Sequence, residues 1–335
     1  MRPADPGADD TVRILPARRK RALWPFAASA AIVVLLLAGG GTFWLLRPHS
    51  PVSRAPVATA PATAPTPAIT APEFRIETAS EQTIRDHVAT GLTIFRLADN
   101  PHILVLDFAS LREQGQTLNR VAAFVEKAGL PHGRVLTDGE LDAAIRAQGD
   151  TVETFYFGHD YSAASLSRFF DLADIQRIEL GAPEEKLRAL LRQEGWLNAG
   201  AVGGLISVPA VGSDPRITAT ARAAILRHEL SHGEFFSNPA HAEYVHNFWL
   251  RELTGEERGA IRKFLGKEGY DVREEELMFN EMQAYLIFTL DPLFFTPDMA
   301  GITPARLAEI QARFLAGMPP GWLRNELTGR RDAAK

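Results

Sequence analysis

Residues 214–236 read DPRITATARAAILRHELSHGEFF, and the rest of the chain is best read outward from them. Asp214 can cap a helix and Pro215 suits its first position, so a helix opens here or one turn later and runs to about Phe236. Along it Ile217, Ala221, Ala224, Ile225, His228, His232 and Phe235 fall on one stripe. His228 and His232 thus occupy core positions, one turn apart on one face. A buried imidazole needs a partner. A single core histidine usually finds a backbone carbonyl. Two at this spacing, in His228-Glu229-Leu230-Ser231-His232, favour a shared metal ion. Glu229 can then reach water on that ion and act as general base. The bare pattern arises by chance about once per hundred chains of this length, so its setting matters as much as its letters.

A site of this kind needs a third protein ligand from another element. The residues after the motif, Gly233-Glu234-Phe235-Phe236, lack the H-x-x-G-x-x-H extension, so the metzincin pattern is absent. The next helix, opening at Pro239, offers His241 and His246. The stronger candidate is Glu281. A helix is predicted over residues 271 to about 290, opened by a capping box between Asp271 and Glu274. Leu277, Met278, Ala284, Tyr285 and Phe288 share the Glu281 face. A carboxylate inside such an apolar stripe is costly unless paired or metal-bound. Glu274, Glu275 and Glu276 begin the helix and read as solvent-facing.

The pairing of His228-Glu229-x-x-His232 with Asn280-Glu281 on a later helix resembles the zincin metallopeptidases of the gluzincin type. The resemblance covers residues 205–290. It departs from the compact members in the 49-residue separation between His232 and Glu281, which keeps His246 open as an alternative ligand. It implies one zinc ion on His228, His232 and Glu281. Zinc would polarise a scissile carbonyl, while Glu229 activates water and then protonates the leaving amine. It also implies an extended peptide held on an edge strand before the metal helix. The candidate strand at 205–208, ended by Pro209, occupies that place. Tyr285, Tyr244, Tyr270 and His246 are candidate oxyanion stabilisers, Tyr285 being set beside Glu229 as catalytic, and Asn280 would orient a ligand. The expected fold class is α+β: a zincin-like, helix-rich C-terminal half carrying the motif, a small mixed α/β N-terminal lobe, and one preceding transmembrane helix.

The first 73 residues address location. Residues 22–46 carry no charge, enough chain to cross a hydrocarbon core of about 30 Å. Trp24 and Trp44 lie near the ends, and Arg18, Arg19, Lys20 and Arg21 precede the segment. The positive-inside rule keeps the basic residues 1–21 in the cytoplasm and exports the rest, giving a single-pass anchor in the cytoplasmic membrane with a periplasmic domain. A signal peptide cleaved near Ala38-Gly39-Gly40 is the alternative. Residues 47–73, rich in Pro, Ala and Thr, read as a semi-rigid stalk. Seven Lys/Arg against three Asp/Glu give residues 1–47 a charge of +4, which leaves −9 on the remainder of a chain totalling −5. Such an acidic exported part argues against nucleic-acid binding. The chain has no cysteine, which excludes disulfides, thiolate metal sites and cysteine nucleophiles.

Residues 74–197 read as a mixed α/β lobe. Strands are expected at 92–97 and Ile103–Phe108, and helices at 111–128, 138–147, 163–175 and 184–194, with a further possible strand at 154–157. Gly158-His159-Asp160-Tyr161 gathers polar groups, but sequence neighbours point different ways, so a catalytic His-Asp pair is not expected. Residues 198–322 read as the metallopeptidase lobe and 323–335 as a charged tail. Thr254…Glu257 is a capping box, Phe248, Trp249 and Leu250 read as packing, and Thr303-Pro304 opens a final helix. The expected substrate is an envelope protein or peptide, with a peptidoglycan peptide among the candidates. The competing reading is a zincin-like binding or assembly module without turnover.

Overall fold

A computed structural model describes residues 74–328. The expected anchor, stalk and basic N-terminus, and most of the charged tail, lie outside the described residues. Among the described residues no helix is long and apolar enough to cross a membrane.

The fold is mixed α/β. Five strands form one sheet in the order β1-β2-β3-β5-β4: β1 Ile76–Ala79, β2 Thr93–Leu97, β3 Ile103–Phe108, β5 Gly204–Pro209 and β4 His159–Ser162. β3 runs parallel to β5, and β4 closes the row antiparallel to β5. Residues from both halves of the chain therefore share one sheet. All six positions of β3 and of β5 are buried, as strands covered on both faces must be.

On one face lie α2 (Leu111–Val125), α4 (Ala163–Gln176) and α5 (Ala182–Gln193), the first packing on β3 and β5 and the second on β4. The other face carries α6 (Ala219–Ser237). A Cβ on Gly204 would lie 2.8 Å from the Gly233 Cα, so a pair of glycines sets how closely α6 approaches β5. Beyond α6 stand α7 (Pro239–Arg251), α8 (Gly255–Glu268), α9 (Glu275–Gln283) and α10 (Pro304–Gly317). The short helices α1 (Glu81–Asp86), α3 (Asp138–Ala147) and α11 (Trp322–Thr328) complete the set.

The structure corrects several local expectations. β5 is not an edge strand, because it is paired on both sides; the edges are β1 and β4, with β4 next to β5. Pro209 closes β5, an end position where its missing N–H costs little. Residues 154–157 form no strand. Phe155, Tyr156 and Phe157 are buried just after a turn held by Thr154 N–H donating to Thr151 O. Helix α6 starts at Ala219 with Thr218 as its cap, while the Asp214 carboxylate is taken by Arg216. Likewise Asp271 binds Arg273, and α9 opens at Glu275 without a side-chain cap. The capping box at Thr254 is present as expected. Leu250 is exposed rather than packed, and α11 follows the expected last helix.

Candidate metal centre

Helix α6 is enclosed along its second half: every residue from His228 to Phe235 is buried. Its carboxylates reveal what each position does. Glu234 accepts from Asn100, from Asn238 and from the Trp322 indole, a fully satisfied buried acid. Glu229, on the same helix, leaves Oε2 without a partner.

His228, His232 and Glu281 converge. The two Nε2 atoms are 3.1 Å apart, Glu281 Oε2 is 3.7 Å from His228 Nε2, and Glu281 Oε1 is 3.7 Å from His232 Nε2. A tetrahedral ion with bonds of about 2.0–2.2 Å needs donors separated by roughly 3.3 Å. The three side chains meet that requirement closely and together could hold a metal ion. Neither Glu281 oxygen closes a hydrogen bond, although Tyr270 stands close enough to favour its ionised form.

The tautomer of His228 follows from its surroundings. The Thr289 hydroxyl donates to Ala284 O at 2.8 Å and so accepts from His228 Nδ1–H at 2.9 Å. That leaves the Nε2 lone pair facing the centre. Thr289 stands where it does because the α9 helix widens into a π-turn over Ala284–Phe288. Asn280 lies beside His232 and accepts from Gln283, whose amide N–H also donates to Ser231 O and whose amide oxygen accepts from His241 Nε2–H. His241 is thereby engaged in this support. His246 stacks on Phe279 instead and does not join the histidine pair. Tyr244 donates to Phe314 O, away from the centre. Tyr285 is near: its ring lies 4.8 Å from that of His228 and its buried hydroxyl has no partner.

Burial holds the His228 imidazole well below its usual range, with His232 adding to the effect, and holds His232 down at about 4. Both rings are neutral at physiological pH, the form that ligates metal. Burial also raises the carboxyls of Glu229 and Glu281, and Glu126 and Glu281 charges reinforce the rise.

Two groups arrive from elements that the sequence reading discounted or passed over. On β4, His159 and Asp160 point to opposite faces. His159 Nδ1 lies 2.9 Å from Ser207 Oγ and 3.3 Å from Gln114, on the α2 side, and burial lowers its pKa to about 3. Asp160 faces α6, with Oδ1 3.8 Å from His232 Nδ1. Glu126, just past α2, reaches the same region, and its backbone accepts from Asp271 N–H. Gly158 lies against Glu229, and a Cβ there would sit 2.0 Å from Glu229 Oε1.

No family model, no curated protein and no solved structure matches this chain.

Proposed function

We propose that the chain is a zinc-dependent peptidase of the gluzincin-like zincin type, anchored in the cytoplasmic membrane by residues 22–46 and hydrolysing an envelope protein or peptide outside it. One observation carries the reading. His228 Nε2, His232 Nε2 and the Glu281 carboxylate lie around a common point, and neither Glu281 oxygen has a partner, whereas the buried acid Glu234 on the histidine helix is satisfied by protein hydrogen bonds.

These three residues would hold the ion. When bound, zinc supplies Lewis-acid polarisation of a carbonyl and acidifies water. The chain's own residues do the rest. Glu229 would take the proton of the attacking water and deliver it to the leaving amine. The Tyr285 hydroxyl, buried and uncommitted, can donate to the developing oxyanion. Thr289 and Asn280 orient the two imidazoles. An extended substrate would add along β4, the edge strand that packs beside α6.

The test uses the full-length chain in detergent. Wild type should retain zinc, His232→Ala should lose it, and Glu229→Gln should keep zinc while losing cleavage of an envelope-protein pool. Zinc retained equally by His232→Ala would overturn the ligand assignment. Zinc with no cleavage by wild type would favour a non-catalytic binding module.

A further inference from the structure

Four carboxyl groups gather around the histidine pair, more than a single divalent ion would balance if all were ionised. Glu126, Asp160 and Glu281 offer oxygens within 4.8 Å of one another, and Asp160 and Glu229 share a second such group with His232. An ion on the histidines offsets two of these charges. Lys127 offsets part of a third: its ammonium lies over Phe155 and Tyr156, 4.3 Å and 4.4 Å from the ring centroids, and favours ionised Glu126.

Geometry and hydrogen bonding point to the same place independently. Glu126, Asp160 and Glu281 each offer an oxygen, and these lie within 4.8 Å of one another. Glu126 is 3% exposed and Glu281 0%, yet Glu126 Oε1 and both Glu281 oxygens lack a partner, as does the neighbouring Tyr156 hydroxyl. Two other buried acids are held by ion pairs instead. Asp107 is held by Arg222, and Glu184 by Arg120. Asp160 is not consumed by His232, because 3.8 Å is too long for a hydrogen bond.

We propose that Glu126, Asp160 and Glu281 form a second divalent-cation site, with the Glu281 carboxylate shared between it and the histidine site. The proposal rests on the peptidase reading only for the first ion. An all-oxygen donor set suits manganese, magnesium or calcium better than the nitrogen-rich histidine site does. A bridging carboxylate would place the two ions roughly 3.5–4 Å apart. The second ion would tie the end of α2 and the edge strand to α9, and would hold Glu281 toward the histidines.

The test counts metal rather than activity. Full-length chain in detergent is stripped with chelator, loaded with Zn2+, and titrated with Mn2+, with both metals measured per chain. Wild type should take up manganese in addition to zinc. Glu126→Gln/Asp160→Asn should keep zinc and bind manganese at least tenfold more weakly. Removing like charges from a buried cluster should leave the chelator-treated double variant no less heat-stable than wild type. Should it misfold nonetheless, the single Asp160→Asn variant carries the same comparison. Equal manganese uptake by wild type and variant, or none by wild type while zinc is retained, overturns the second site and leaves the peptidase reading intact. Zinc retention indifferent to His228→Ala/His232→Ala overturns the first ion's assignment. Manganese uptake that still depends on Glu126 and Asp160 would then support the second site alone.

Discussion

Gly158 has no side chain because Glu229 occupies the space where one would be. A methyl group there meets a carboxylate oxygen at 2.0 Å, and Glu229 must swing away. Gly158→Ala should therefore retain zinc and lose turnover by roughly 10²-fold, the lower end for a misplaced general base, as read by zinc content and steady-state kinetics on one preparation. Thr289 acts on the metal through His228. Thr289→Val removes the acceptor for Nδ1–H and should weaken zinc about 10–100-fold in a chelator competition, with little change in unfolding temperature. At this scale His228, His232 and Glu281 were legible, because polar residues inside an apolar helical stripe announce themselves, and Glu229 was legible from its place in the H-E-x-x-H motif. Glu126 and Asp160 were not. One lies past a helix end and the other on a short strand, and no periodicity marks either as inward-facing.

At the scale of elements, hydrophobic spacing located most helices and the β3 strand, but not which strand forms the edge. Pro209 satisfies the same rule at a strand's end as at a sheet's edge, so proline alone could not choose. The π-turn after α9 was invisible for a related reason: its residues, Ala284 to Phe288, would serve an α-helix equally well. Capping was read correctly at Thr254 and wrongly at Asp214 and Asp271, where an arginine two residues on captures the carboxylate. The α8 cap carries a pH dependence. Glu257 closes the capping box and pairs with Arg306, whose hydrogen bond does most to lower its pKa, to about 2. A carboxyl lowered in the folded state contributes stability above its unfolded pKa of 4.5, and that contribution disappears as pH falls toward about 2. With the pair partly open to solvent, the effect is on the order of 1 kcal/mol. Acid titration of unfolding free energy should show a shallower loss over this window in Arg306→Ala than in wild type.

For the described molecule as a whole, β3 and α6 are tied by one buried ion pair. Arg222 donates to both Asp107 oxygens at 2.8 Å and also to Pro209 O, Ile84 O and Arg85 O, and His87 Nδ1 lies 2.7 Å from Asp107. Every polar group of the guanidinium is thus used, on the element that carries the histidines. Arg222→Met would strand the Asp107 charge inside the protein and should cost about 3–5 kcal/mol in denaturant unfolding. The mixed α/β class followed from the alternation of strand-like and helical segments. The sharing of one sheet by both halves did not, since nothing local in residues 159–162 or 204–209 says which strands they pair with.

The central claim is that three side chains from two helices grip one ion. The most direct measurement is anomalous diffraction at the zinc edge from crystals of the zinc-loaded protein. The account predicts a peak bonded to His228 Nε2, His232 Nε2 and a Glu281 oxygen at about 2.0–2.2 Å. A structure in which these side chains diverge, or in which zinc sits elsewhere, would contradict it.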